Sequence, residues 1–233
     1  MSAPVLIEWK PDYTAVVLSF AYVLAVIALG EVLRRLGKRR AEFTRKFIHI
    51  GVGMWSIGTG LLFDNWYYAL IPPAAFVVIN AIIHWTGAIK SLASEDKRNL
   101  GTVYFPISFA ALIYFWWDMP VELVAAMMPM TWGDAVAAVA GRRYGHYHYT
   151  IAGRTRSLEG SLAMWLAGWV WTSLVLGVMP YLAGRPPMSW LVALVYGGVV
   201  SLVCAVVEAI TPWGMDNLSV PAAATLVLWV LFY

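Results

Sequence analysis

Four acidic side chains inside or beside long apolar runs of the chain are candidates for chemistry. Asp134 and Glu208 fall within such runs, Glu159 stands near the start of one, and Asp216 with Asn217 precedes the last. Ionisable groups in membrane-length apolar runs are costly and mark substrate or ion sites. Two of the four have structural alternatives, because Asp216 is suited to cap the last helix and Glu159 to lie in a first helical turn.

The segment 141–160 combines glycines, arginines and hydroxyl groups just before a predicted helix. The N–H groups and dipole of a helix N-terminus favour anions, and guanidinium groups bind phosphate oxygens in pairs. The segment matches neither a Walker A loop nor a dinucleotide-binding fingerprint. Carboxylates together with such a basic segment indicate a Mg²⁺–nucleotide site, in which the carboxylates hold the metal and arginines offset phosphate charge.

A third group of polar residues lies at the start of the second apolar run. His49 follows Lys46 by three residues, so the two side chains share one helix face, next to Arg45. On its own, His49 is more typical of a packing residue than of a ligand.

The elements that position these residues are helices in a membrane. The chain has 233 residues, of which 61% are hydrophobic and 12% charged. Soluble domains are about 45–50% apolar and about 25% charged, so this composition excludes a soluble enzyme, a disordered chain and a nucleic-acid module. Continuous apolar runs predict an all-α polytopic bundle of about eight transmembrane helices, with seven as the alternative, in a single domain over 1–233. The predicted spans are 13–33, 47–63, 66–85, 103–117, 120–140, 159–182, 189–210 and 217–233.

Basic residues predict the orientation of this bundle. All but two of the 16 Lys and Arg residues fall in three loops, at about 34–46, 86–102 and 141–158. These loops share one side if every span crosses, and Lys and Arg are enriched on the cytoplasmic side. We therefore expect these loops and the turn at 211–216 in the cytoplasm, both termini outside, and the polar site facing the cytoplasm.

Four blocks of the sequence, in order, resemble those of the CTP-dependent polyprenol kinases, which comprise phytol, farnesol and dolichol kinases. The range 45–49 resembles the family's Arg-Lys-x-x-His block, and 133–142 resembles its Gly-Asp-x-x-Ala-x-x-x-Gly-Arg block. The range 156–161 is similar to its Lys-Ser/Thr-x-Glu-Gly-Ser block, and 208–221 to its late Glu…Asp-Asn block. One departure is Arg156, which stands where the family usually has Lys; a planar guanidinium is not an ammonium group.

The resemblance implies transfer of the γ-phosphoryl group of CTP to the hydroxyl of an isoprenoid alcohol of the phytol, geranylgeraniol, farnesol or dolichol class. Mg²⁺ would be held with the nucleotide by Asp134 and Asp216, with Glu159 and Asn217 as further candidates. Either Asp134 or Glu208 would take the alcohol proton. The groups expected to contact phosphates are Arg142, Arg154, Arg156 and Ser157, supported by Arg45 and Lys46, with His49 orienting one of these groups.

Two alternatives use similar residues. A cytidylyltransferase would make a CDP-lipid from a lipid phosphate and release pyrophosphate. A transporter would place polar groups near the middle of the bilayer and usually shows internal repeats. The sequence shows no clear repeat, and its polar groups cluster toward one leaflet.

Overall fold

The computed structural model describes residues 11–36, 41–88 and 98–233. Over these ranges the chain forms eight helices and one small hairpin. The helices are α1 (Pro11–Leu36), α2 (Ala41–Leu62), α3 (Trp66–Thr86), α4 (Gly101–Phe115), α5 (Pro120–Tyr144), α6 (Leu158–Leu182), α7 (Trp190–Ile210) and α8 (Asp216–Phe232). The hairpin pairs β1 (His148–Ile151) with β2 (Arg154–Ser157), antiparallel.

Five of these helices, α1, α3, α5, α6 and α7, are long and apolar enough to cross a membrane, and α4 and α8 are shorter apolar helices. The predicted all-α polytopic membrane fold is confirmed.

Local sequence signals explain several helix ends. Gly87 ends α3 in a left-handed conformation with φ of 68°, which glycine adopts without strain. Ser157 and Ser189 cap α6 and α7, because their hydroxyl oxygens accept hydrogen bonds from Gly160 N–H and Val192 N–H.

The connections at one end are shorter or more ordered than the sequence suggests. Helix α1 continues to Leu36 and α2 begins at Ala41, so every described residue of the predicted 34–46 loop is helical. The 141–158 segment consists of the last turn of α5 and the hairpin. Lys38, Arg39, Arg40, Lys90 and Lys97, which the orientation argument uses, lie outside the described residues, as does Lys10.

Helix α5 lies at the centre of the bundle. Its residues from Leu123 to Met128 are almost completely buried, and Met130 has no exposed surface. Helices α2, α4, α6, α7 and α8 all pack against α5. At its last turns α5 packs closely on α6, since a Cβ atom added at Gly141 would lie 3.5 Å from the Cα of Gly160. Side chains that project from α5 therefore meet groups from most of the bundle.

The antiparallel helices give the bundle two polar ends. The site end holds the ends of α1, α3, α5 and α7 and the starts of α2, α4, α6 and α8. The far end holds the start of α1 and the α2–α3, α4–α5 and α6–α7 connections.

Candidate functional site

Three carboxylates from three helices converge at the site end. Asp134 lies on α5, Glu208 near the end of α7 and Asp216 at the start of α8. One oxygen from each can be chosen so that all three atoms lie within 4.8 Å of one another. Asp134 and Glu208 are both buried, each 8% exposed. The sequence separates these residues by up to 82 positions, and the fold brings them together.

A π-helical turn in α5 positions Asp134. It covers Pro129–Gly133, and the N–H group of Asp134 donates to the carbonyl of Pro129, five residues earlier. In an α-helix this N–H would bond Met130 instead. The Met130 carbonyl is thus left for the Nε2 atom of His49, at 2.8 Å. Such π-turns are frequent at functional sites.

This contact fixes the role of one nitrogen of His49. A carbonyl oxygen only accepts hydrogen bonds, so Nε2 must carry the proton. The same Nε2 lies 3.7 Å from Asp134 Oδ2, and the ring packs on Phe105 at 4.5 Å between centroids. His49 therefore joins α2, α4 and α5 at the carboxylate cluster, and its Nε2 is a donor there and not a base.

Lys46 supplies the positive charge next to Asp134. Its Nζ atom donates a hydrogen bond to Asp134 Oδ2 within an ion pair, and both side chains are largely buried. The structure therefore brings Lys46, His49 and Asp134 together, as the predicted site requires.

Arg156 supplies the second buried positive charge, and it binds protein groups. Its Nε donates to Glu208 Oε1 at 2.7 Å, while its two terminal nitrogens donate to the carbonyls of Ala209 at 3.0 Å and Thr211 at 2.9 Å. Asp216 Oδ2 lies 3.9 Å from the guanidinium. Arg156 thus fixes the end of α7 and holds two of the three carboxylates in place, whereas the sequence predicts a phosphate contact.

Ser157 and Glu159 have local structural roles. The Ser157 hydroxyl caps α6, and it borders the site. Glu159 Oε1 accepts the backbone N–H groups of His146 at 3.0 Å and Tyr147 at 3.2 Å. Glu159 does not line the cavity described below. It orders the turn before the hairpin. Its position in the first turn of α6 accounts for these two contacts better than a role as metal ligand does.

On the α4 side, the cluster is completed by Asn217 together with Asn99 and Gly101, which were not predicted from the sequence. Asn217 Nδ2 donates to Asp216 Oδ1 and to the Gly214 carbonyl, at 3.0 and 3.1 Å. Gly101 must be small, since a Cβ atom there would approach Asn217 Nδ2 to 2.8 Å. Asn99 Oδ1 accepts the N–H of Gly101 at 3.0 Å. The start of α4 therefore packs against the start of α8.

A proline in α4 explains a further polar contact. Pro106 has no N–H group to bond the carbonyl of Thr102, four residues earlier. Asn80 Nδ2 on α3 donates to that carbonyl instead, at 2.8 Å. The signal for this contact in the sequence is a Pro inside an apolar helix, because it leaves the Thr102 carbonyl in need of another donor, here Asn80.

Most of these groups line one cavity of about 580 Å³. One wall is polar and charged, and the other is apolar. The polar wall includes every predicted site residue except Glu159: Arg45, Lys46, His49, Asp134, Arg142, Arg154, Arg156, Ser157, Glu208, Asp216 and Asn217. The apolar wall consists of Val23, Ile27, Ile48, Val52, Phe76, Phe105 and Pro106. A cavity of this kind can hold a charged molecule and an apolar one side by side.

The donor set of the cluster suits a hard divalent cation. Three carboxylates bring up to three negative charges together, while Lys46 and Arg156 are the cations bonded to them among the described residues. Carboxylates this close repel one another unless a cation lies between them. Oxygen ligands from a few carboxylates, completed by phosphates, are typical of Mg²⁺ sites.

Similar proteins are kinases by name. A relative from Synechocystis sp., named phytol kinase, is 33% identical over 227 residues, which cover 96% of this chain and 94% of the relative. A relative from Arabidopsis thaliana, named phytol kinase 1, chloroplastic, is 28% identical over 94% of this chain and 75% of its own length. No family model matches the chain, and no solved structure matches it.

Proposed function

The chain belongs to the phytol kinase family, and we propose that it transfers the γ-phosphoryl group of CTP to the hydroxyl of an isoprenoid alcohol such as phytol. The observation that carries this proposal is the convergence of Asp134, Glu208 and Asp216 in a cavity with one polar, charged wall and one apolar wall. A kinase that transfers a phosphoryl group from a nucleotide to a lipid needs both walls at the same place. Relatives named phytol kinase support the general activity, and the donor CTP follows from the resemblance of the sequence blocks.

The three carboxylates would hold Mg²⁺, with Asn217 beside them. Bound there, Mg²⁺ would offset negative charge on the phosphate oxygens as the phosphoryl group moves. Arg142, Arg154 and Arg45 line the same cavity and are the groups that we assign to the phosphates. Arg156 is assigned a positioning role, because its donors hold Glu208 and the end of α7.

Asp134 is the better placed of the two candidate bases. It contacts Lys46 and lies near His49, whose ring packs on Phe105 of the apolar wall. Glu208 lies on the other side of the cluster, bonded to Arg156. In the proposed step the alcohol oxygen attacks the γ-phosphorus, the bond to the β-phosphate oxygen breaks, and CDP leaves. The alcohol proton passes to Asp134.

The direct test uses purified protein, Mg²⁺ and γ-labelled CTP with phytol, geranylgeraniol, farnesol, dolichol and diacylglycerol, each in separate assays. We expect label in the lipid phosphate of an isoprenoid alcohol, and CDP as the second product. Release of pyrophosphate with cytidine in the lipid would identify a cytidylyltransferase instead. ATP and GTP as donors test whether CTP is preferred.

We also propose that the site end faces the cytoplasm, because the described basic residues of the predicted loops, among them Arg34, Lys46 and Arg142, lie there. His146 is 80% exposed at the site end, and Pro187 is exposed at the far end. In a Cys204→Ala background, a membrane-impermeant maleimide should label Pro187→Cys in intact cells and His146→Cys only after the cells are opened. The reverse pattern would invert the orientation.

A further inference from the structure

The apolar wall of the site cavity continues into a groove toward the far end. A second cavity of about 30 Å³ shares five of its lining residues with the first: Val23, Val52, Phe76, Phe105 and Pro106. Beyond this junction it is lined by residues that include Trp55, Thr59, Ala69 and Phe109. We propose that this groove binds the isoprenoid chain of the alcohol, and that its closed end at Ala69 limits the chain length that the enzyme accepts. This inference rests on the proposed function.

The groove is built from one face of each of four helices. The lining residues follow one another at intervals of three or four, which places them on a single face. They are Ile27 and Val23 on α1, Val52, Trp55 and Thr59 on α2, Phe76, Pro73 and Ala69 on α3, and Phe105 and Phe109 on α4. At 1.5 Å per residue, the distance along α3 from Asn80 to Ala69 is about 16 Å. The lining residues of the two cavities therefore extend along α3 as a narrow path, and most of its free space lies in the larger cavity.

Two polar groups next to the groove form hydrogen bonds within the protein. Trp55 Nε1 donates to Ser19 Oγ at 2.9 Å. The Thr102 carbonyl, which Pro106 deprives of its helical donor, accepts Asn80 Nδ2 at 2.8 Å. Because these groups are satisfied within the protein, the groove offers an occupant apolar contacts, which suits a hydrocarbon chain.

The position of the groove selects the alcohol's own chain as the occupant. Toward the site end, the groove begins at Phe105 and His49. Asp134 Oδ2 lies 3.7 Å from His49 Nε2. An alcohol with its hydroxyl at Asp134 must place its hydrocarbon away from the charged wall. The groove is apolar and shares lining residues with the cavity at that point.

Two substitutions should shorten the groove at different depths. Val23→Phe narrows the junction, and Ala69→Phe fills the closed end, where both residues are buried. For Ala69→Phe we expect kcat/KM for phytol to fall at least about tenfold, because apolar contacts with the end of the chain are lost. The ten-carbon alcohol geraniol is too short to reach Ala69, so its kcat/KM should change less than about threefold. Val23→Phe should lower the value for farnesol as well as for phytol.

Each substitution has a matched control on the same helix. Val17→Phe and Ala74→Phe add the same rings at exposed positions of α1 and α3, and both should leave the alcohol preference unchanged. If the wild-type protein phosphorylates no isoprenoid alcohol, the proposed function fails. If it phosphorylates phytol but the groove variants change phytol and geraniol equally, or match their controls, the groove assignment alone is overturned.

A binding measurement covers the case in which a bulky variant does not fold. Ala69→Cys in a Cys204→Ala background is a small change at the closed end. Phytol should slow the reaction of the new thiol with a membrane-permeant maleimide at least about threefold, and geraniol should not, because only the longer chain reaches the thiol. If phytol leaves the rate of labelling unchanged, for example because a bilayer lipid fills the groove, the inference is overturned.

Discussion

Acidic side chains are buried at both ends of the bundle, but the two ends satisfy them differently. At the far end, Asp12 accepts hydrogen bonds from Asp64 N–H at 2.8 Å and from Asn65 Nδ2 at 2.6 Å. Glu122 pairs with Arg185 at 3.3 Å. Each acid there has its own donors and ties one helix start to a neighbouring turn. At the site end, three carboxylates converge on one point.

The comparison separates structural acids from acids suited to chemistry. A buried acid with matched donors stabilises a turn or a helix contact. Converging carboxylates repel one another, so their arrangement makes physical sense when a ligand or metal ion shares the site. The far-end acids Asp12 and Glu122 line neither of the two cavities, whereas Asp134, Glu208 and Asp216 all line the larger one. Burial alone therefore does not identify a functional carboxylate, and convergence at a cavity does.

The strongest test of this comparison removes one charge at each end. Asp134→Asn keeps the side-chain volume but removes a metal ligand and the proposed base, so we expect kcat to fall at least about 100-fold, as for loss of one important electrostatic group. The matched variant Glu122→Gln, also buried, should keep kcat within about twofold. Both are measured as CTP-dependent phosphorylation of phytol in detergent, after size-exclusion chromatography has shown folded protein. Turnover near the wild-type level in Asp134→Asn would remove Asp134 from the site.

Arg156 tests how the site end holds its carboxylates together. Arg156→Ala leaves Glu208 buried without its partner, and we expect a loss in kcat of roughly 10- to 150-fold, equivalent to about 1.5–3 kcal/mol. Arg156→Lys keeps the charge but cannot reproduce three directed hydrogen bonds, so its loss should be smaller but measurable. Because Arg156 acts through Glu208 and Asp216, both variants should need more Mg²⁺ for half-maximal rate.

The sequence predicts a different result for the same variants. If Arg156 binds phosphate directly, Arg156→Ala should raise the KM for CTP and leave the Mg²⁺ dependence unchanged. That outcome would contradict the positioning role that the structure assigns.

Much of the site could be predicted from the sequence because membrane helices make polar residues conspicuous. Asp134 and Glu208 interrupt long apolar runs, so a simple hydropathy argument selects them. Helix existence follows from run length, and the eight helices match the predicted spans to within a few residues, apart from α2, which begins six residues before its predicted start.

The remaining features depend on backbone geometry that composition does not encode. The π-turn that gives His49 its partner depends on the detailed packing around Pro129 and Met130. The three hydrogen bonds of Arg156 depend on where the Glu208 carboxylate and the carbonyls of Ala209 and Thr211 lie, 52 to 55 residues away. Glu159 and Glu208 are both site candidates by sequence, and the fold turns one toward backbone amides and the other into the cluster.

Two neighbouring arginines sharpen the comparison within the site end itself. Arg142 lines the cavity, whereas Arg143 does not, and the Arg143 guanidinium lies over the Tyr144 ring at 5.5 Å. Arg142→Ala should raise the KM for CTP about tenfold, since a charge-assisted contact with phosphate is lost. Arg143→Ala should change this KM less than about twofold, as expected for an exposed charge. Equal effects in the two variants would mean that net charge, and not a specific contact, binds the nucleotide.

The smallest expected effect on activity comes from the far end and concerns stability. Glu122→Gln removes the carboxylate that pairs with Arg185, whose side chain is 35% exposed. Partial exposure lets water replace much of the lost interaction, so we expect the unfolding free energy to fall by about 1 kcal/mol. For a chain of this size that change lowers Tm by about 2–4 °C, measurable by thermal unfolding in detergent. Arg185→Gln should give a similar shift, and the double variant should add little to either, because both single changes break the same pair. If Glu122→Gln instead lowered kcat as strongly as Asp134→Asn does, the two ends would be coupled, and the distinction between structural and functional acids would fail for this protein.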